Sequence, residues 1–132
     1  MSEEMNKQKQ KFSILKRIES FGFAFNGLKI LIKEEHNSRI HLFVAIVIVI
    51  VSFIFQISSS EWILILFAIS FVLVTEIINS AIENISDFIS PEKHNSIKKI
   101  KDLAAAAVLI SSITALIVGL IIFLPKILLR QV

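Results

Sequence analysis

Apolar residues in this chain fall into one interrupted stretch and three nearly continuous blocks. Between residues 12 and 34, Ile14, Ile18, Phe21, Phe25, Leu28 and Ile32 recur at steps of 4, 3, 4, 3 and 4. That is the period of an amphipathic helix. Lys16, Asn26, Lys29 and Lys33 fall on its other faces. The segment is too polar to cross a bilayer. The pattern predicts a surface helix over 12–34, lying in the interface with its basic residues near lipid headgroups. A polar interruption, Glu34 to Arg39, reads as the corner before a first transmembrane helix over 40–57, about the length a bilayer core needs. Ser58-Ser-Ser60 reads as a short turn, with Ser60 as N-cap and Glu61 in a first turn that suits the helix dipole. A second transmembrane helix is predicted over 61–88, ended by Ser90-Pro91. A third is predicted over 98–124, stopped by Pro125. Residues 1–11 are charged and read as a disordered tail, 126–132 as a C-terminal tail, and 12–125 as one membrane domain.

Composition supports an all-α integral membrane fold. The 132 residues are 55% hydrophobic, with a mean hydropathy of +0.76. The net charge of +3 is too small to point to nucleic acid. Cysteine is absent and says nothing of redox compartment. The N-terminus shows no apolar core of a signal peptide. Lysine and arginine distribute asymmetrically. Lys7, Lys9, Lys11, Lys16, Arg17, Lys29, Lys33 and Arg39 precede the first span, and Lys93, Lys98, Lys99 and Lys101 lie between the second and third. The Ser58–Ser60 turn has none, and the C-terminal tail has only Lys126 and Arg130. The positive-inside rule then puts the N-terminus and the second loop in the cytoplasm and the C-terminus outside. In the third span, Ala107, Ser111, Ala115 and Gly119 form a ladder of small residues, which predicts self-association of copies of the chain through this span.

The second span carries the most informative pattern. Glu76, Asn79, Ser80, Glu83 and Asp87 fall at i, i+3, i+4, i+7 and i+11. At ~100° per residue they share a stripe roughly 100° wide. Ile77, Ile78, Ala81, Ile82 and Ile85 cover the remaining faces. An acid at the centre of a membrane helix costs about 2.5–3.5 kcal/mol on insertion scales, so a seam of three is a candidate site. The inferred orientation puts Glu76 deepest and Asp87 in cytoplasmic water, with Glu35 at the mouth of the first span and Lys101-Asp102 at the mouth of the third. Such a site could meet a water-soluble ligand and a lipid headgroup together. Carboxylates beside a lysine suit Mg²⁺ and a nucleotide. The P-loop and glycine-rich loop motifs are absent, and the three glycines leave none possible. Metal-dependent chemistry on a lipid is as far as spacing leads.

The motifs Glu76-x-x-Asn-Ser-Ala-Ile-Glu83-x-x-x-Asp87, His94 and Lys101-Asp102-Leu-Ala-Ala-Ala-Ala-Val-Leu resemble the small bacterial diacylglycerol kinase family, which includes undecaprenol kinases. Phe25-Asn-Gly-Leu-Lys and Glu35-His-Asn-Ser-Arg-Ile-His41 extend the resemblance over about residues 12–125. It implies a homotrimer, active sites shared between subunits, and ATP- and Mg²⁺-dependent phosphorylation of a membrane lipid alcohol, diacylglycerol or undecaprenol. It maps the catalytic base onto Glu76, the metal ligands onto Glu35 and Glu83, and the lipid-side amide onto Asn79 beside Glu76. Nucleotide contacts map onto Lys16, with Arg17 its rival, and onto Glu35, Glu83, Glu92, Lys93, His94, Lys101 and Asp102. Ser86 departs from the family pattern and is expected to face away from the stripe. His36 and His41 are read as interfacial helix-end residues, Lys98 and Lys99 as topology signals, and Phe21, Phe23 and Phe25 as a membrane anchor.

Two other functions compete. An ion- or proton-conducting protein would carry acids on several spans near the midplane, and the first and third spans carry none. A structural membrane protein would not need Lys101-Asp102 beside the stripe and would turn over no ATP. The orientation itself is testable. A reporter fused after Val132 is expected to read external, and a cytoplasmic signal contradicts the topology.

Overall fold

The structure is a computed structural model and describes residues 13–129. The tail expected over residues 1–11 and the last three residues lie outside the described part. Four helices follow one another: α1 (Ile14–Glu34), α2 (His36–Ile54), α3 (Ser59–Ile89) and α4 (Asn95–Leu129). The chain divides into two compact units, one ending at Glu34 and one beginning at Glu35. In the first unit α1 is a helix of 21 residues, with Phe21, Phe23 and Phe25 exposed.

In the second unit α2, α3 and α4 are each long and apolar enough to cross a membrane. Each buries only a small share of its most apolar stretch and turns the rest outward. A helix surface of Ile, Leu and Phe is at home in lipid and unfavourable in water. α3 packs mainly on α4, and α2 packs on α3.

The turn between α2 and α3 explains their register. Gln56 takes a left-handed backbone, with φ of 51°. Its N–H donates to the Phe53 carbonyl at 3.2 Å, and that of Ile57 to the Ser52 carbonyl at 3.3 Å. This is a Schellman ending, normally built on glycine. Its hydrophobic member Ile57 is buried, clustered with Ile65, Ile122 and Phe123. A capping box starts α3: the Glu61 N–H donates to Ser58 Oγ at 3.3 Å and the Ser58 N–H to Glu61 Oε2 at 2.8 Å. The N-cap is therefore Ser58, not the expected Ser60, because only Ser58 stands three residues before Glu61. Glu61 Oε1 also pairs with Lys126 Nζ at 2.9 Å, tying the start of α3 to the end of α4.

Helix boundaries differ from expectation at both ends of α2 and of α4: α2 stops at Ile54 instead of 57, and α4 starts at Asn95 instead of 98. The polar corner shrinks to Glu35, whose backbone is extended (φ −102°, ψ 110°), and His36 to Arg39 already belong to α2. Pro125 lies inside α4, which continues to Leu129. A proline removes one donor to the preceding turn, and within a membrane helix that loss is tolerated.

Length then places the polar groups. At ~1.5 Å per residue α2 is about 28 Å long, α3 about 46 Å and α4 about 52 Å, against a hydrocarbon core of ~30 Å. The tight turn aligns α2 with the start of α3, and the Glu61–Lys126 pair aligns the end of α4 with the same level. The excess length of α3 and α4 therefore projects at the opposite end, where α3 carries Glu83 and Asp87 and α4 begins.

Mid-bundle, α3 and α4 join through Thr75 Oγ1 and Ser111 Oγ, 2.8 Å apart. Each hydroxyl also lies 2.9 Å from a carbonyl of its own helix, Val72 or Val108. Ser111 is wholly buried in this contact. The second rung of the small-residue ladder thus faces α3 of the same chain, and Ala115 and Gly119 line a groove beside it. Replacing Ser111 by Leu should overpack this crossing by about 1–3 kcal/mol, and replacing it by Ala should remove an interhelical bond of about 0.6–2 kcal/mol. Thermal unfolding in detergent should rank wild type above Ser111→Ala above Ser111→Leu. An unchanged midpoint in Ser111→Leu contradicts the contact.

Candidate active site

The stripe on α3 is graded by depth. Glu76 is 4% exposed and Ser80 is 7% exposed, Asn79 and Glu83 are half-buried, and Asp87 is open. Glu76 arises on this face because the i, i+4, i+7 spacing puts it above Ser80 and Glu83, and because α3 turns that face inward. A carboxylate withdrawn from water needs a partner. It is His41 on α2, whose Nε2 lies 3.0 Å from Glu76 Oε1. His41 was expected to be an interfacial helix-end residue. It is instead five residues inside α2 and faces α3. Nothing in the local pattern could reveal this, because the partner lies on another helix.

His41 also stands in the wall of a groove of ≈ 450 Å³ between α2, α3 and α4. Apart from His41 and Ser112 its walls are apolar, among them Val72, Ala115, Gly119 and Phe123. Asn79 opens elsewhere, into a hollow of ≈ 370 Å³ walled by α3 and α4. The Oδ1 of Asn79 and the Oγ atoms of Ser80, Ser38 and Ser112 are buried and have no hydrogen-bond partner among the described residues. Buried polar atoms are normally satisfied, so these four stand out against the rest of the described chain. Ser86 was expected to face away from the stripe. It is 3% exposed, turned inward next to the Asn79 side of the helix.

One turn beyond Glu83, Asp87 Oδ1 pairs with Lys101 Nζ at 2.9 Å, and the charge of Glu83 also acts on Lys101. Lys98, read as a topology signal, pairs with Asp102 one turn further along α4. The expected nucleotide residues Lys101 and Asp102 thus each hold an internal partner, exposed enough to exchange it for a ligand. Between the helices, Glu92, Lys93 and His94 are exposed. The Glu92 carbonyl accepts from Ser90 Oγ at 3.0 Å, and His94 Nδ1 accepts from the Ser96 N–H at 3.1 Å, capping α4. Lys16 lies in the first turn of α1, in the other unit, where its N–H donates to Ser13 Oγ at 3.5 Å. Glu35, the N-cap of α2, is half-buried.

Among the described residues, no three His, Asp or Glu side chains converge as a metal cluster. The donors expected for Mg²⁺, Glu35 and Glu83, are carboxylates, the oxygen type this hard cation selects. One or two carboxylates suffice where phosphate oxygens complete the shell. The donor type therefore fits Mg²⁺ carried on a nucleotide.

Comparison with known proteins follows the same lines. A family model described as prokaryotic diacylglycerol kinase matches residues 22–123. The undecaprenol kinase of Bacillus subtilis (strain 168) is 36% identical over 107 residues, covering 81% of this chain and 87% of that protein. The diacylglycerol kinase of Haemophilus influenzae is 31% identical over 107 residues, covering 80% and 91% respectively. The diacylglycerol kinase of Escherichia coli (strain K12) is 30% identical over 100 residues, covering 76% and 82%.

Proposed function

Because the chain belongs to the prokaryotic diacylglycerol kinase family, we propose that it transfers the γ-phosphoryl group of Mg·ATP to the terminal hydroxyl of a membrane lipid alcohol at the cytoplasmic interface. That it is a membrane lipid kinase follows from the family and its three apolar helices. The observation that carries the finer reading is Glu76, a carboxylate sealed inside the bundle, followed along the same helix face by Glu83 and then by the Asp87–Lys101 pair.

The chemistry runs along that gradient. Glu76 is the general base, at the depth where a lipid hydroxyl arrives. It takes the hydroxyl proton as the oxygen forms a bond to the γ-phosphorus. The bond from the γ-phosphorus to the bridging oxygen breaks, and ADP leaves with the electron pair. Glu83, about 10 Å along the helix at ~1.5 Å per residue, and Glu35 would hold Mg²⁺. When bound there, Mg²⁺ neutralises phosphate charge. Asn79 orients the acceptor beside Glu76. Lys101, Asp102 and the Glu92, Lys93 and His94 loop meet the nucleotide from α4 and its lead-in, and Lys16 on α1 reaches phosphate.

The protein works as a homotrimer in the cell membrane with shared active sites. The unsatisfied Asn79 and Ser80 atoms support this, since a neighbouring copy or a bound substrate would complete them. The exposed Phe21, Phe23 and Phe25 of α1, flanked along the helix by Lys16, Arg17, Lys29 and Lys33, support its lying in the interface. Of the two acceptors, undecaprenol is favoured by the 36% identity to an undecaprenol kinase, against 31% and 30% to diacylglycerol kinases.

Purified protein incubated with γ-labelled ATP·Mg should label undecaprenol in preference to diacylglycerol. Label on neither lipid overturns the proposal, and label on diacylglycerol alone reassigns the acceptor. Glu76→Gln should fold and bind nucleotide yet lose turnover by roughly 10²-fold or more. Turnover near wild type with lipid saturating removes Glu76 as the base. Glu83→Gln keeps the shape and removes a charge, so it should sharply raise the Mg²⁺ requirement or abolish turnover. Unchanged magnesium dependence takes Glu83 out of the metal site.

A further inference from the structure

The contact between His41 and Glu76 joins two helices at the most buried acid in the described chain. Glu76 has no polar side-chain partner other than His41 among the described residues. The two sides of the pair differ in access: the Glu76 side chain is 5% exposed and that of His41 is 27% exposed. His41 reaches the groove, and Glu76 is sealed behind it.

We propose that His41 is the positioning residue of the base, fixing one carboxylate oxygen of Glu76 so that the other is left aimed at the acceptor hydroxyl. The inference rests on the reading of Glu76 as base. At 3.0 Å, Nε2 is within hydrogen-bond reach of Oε1. A glutamate with no partner would rotate about its terminal torsion, which is broad and nearly two-fold. A donor on Oε1 halves that freedom and leaves Oε2 for the proton. The same donor offsets the penalty of holding a carboxylate away from water.

The surroundings leave this task to His41. Facing it, α4 carries no titratable side chain between Asp102 and Lys126, and contributes Ser112 to the shared groove. On α3 the next acid along the stripe is Glu83, two helical turns away. On α2 itself the neighbours His36 and Arg39 are exposed. Among the described residues no lysine or arginine is paired with Glu76. A positioning residue that does not meet ATP should affect kcat and leave KM for ATP alone.

The experiment measures kcat, KM for ATP and the thermal midpoint for four variants: His41→Leu, His41→Gln, Glu76→Gln and the double His41→Leu/Glu76→Gln. Loss of the donor should lower kcat by roughly 10²-fold, as for a misplaced catalytic group, with KM for ATP unchanged. Gln presents an N–H at nearly the reach of Nε2 and should restore most of the kcat. The double variant should be no slower than Glu76→Gln alone, because the histidine acts only through the glutamate. Wild-type kcat in His41→Leu overturns the proposal, and so does a double variant whose loss is the product of the two single losses. Should His41→Leu not fold, Gln against Asn decides. Asn keeps the polarity and falls short of Glu76, so equal turnover in the two overturns the proposal. A Glu76→Gln variant that stays active removes the base itself. An inactive Glu76→Gln beside a fully active His41→Leu removes only the role of His41.

Discussion

A carboxylate held inside a membrane bundle is the constraint around which this molecule is arranged. The Glu76 side chain is only 5% exposed, and its oxygen meets the Nε2 of His41 at 3.0 Å. That contact requires α2 and α3 to cross at one height, with His41 five residues into one helix and Glu76 in the middle of the other. The height is set at the far end of the bundle. There Gln56 accepts a left-handed backbone so that α2 can turn tightly into α3, and the Ser58–Glu61 box fixes where α3 starts. A slip of one residue in that turn would rotate the stripe by about 100° and take Glu76 away from His41.

Length mismatch does the rest. Three helices of unequal length share one level at the Glu61–Lys126 end. The surplus of α3 and α4 is displaced to the other end, where polar residues gather. A single helix face thereby runs from a sealed acid to an open one. Reactants of opposite character, a lipid and a nucleotide, can approach such a gradient from opposite ends. Its outer members are tied by exchangeable pairs, Asp87 with Lys101 and Lys98 with Asp102. Exposed ion pairs are worth little to stability, so opening them to a phosphate costs the fold little.

The buried serines mark a second device. Ser38, Ser52 and Ser111 are the most completely buried side chains. Bulk is excluded where helices approach closely in lipid, and small residues let the backbones meet. Ser111 also uses its hydroxyl across the interface to Thr75, and Ser52 donates to the Ile48 carbonyl within its own helix at 2.7 Å. Asn79 and Ser80 have no such internal partner. They lie on the face of α3 that carries the acids.

Much of this was legible from the chain alone. The apolar blocks determine three long helices, since a bilayer admits little else. The 3.6-residue period determines that Glu76, Asn79, Ser80, Glu83 and Asp87 share one face, and the motif spacing was enough to indicate the family. These are local properties, expressed within one helix. What the tertiary structure decided are relations between helices. It made His41 the partner of Glu76, placed Ser111 against α3 of its own chain, and carried α4 through Pro125. None of these follows from periodicity, because a periodic pattern states which residues share a face and not what that face will meet.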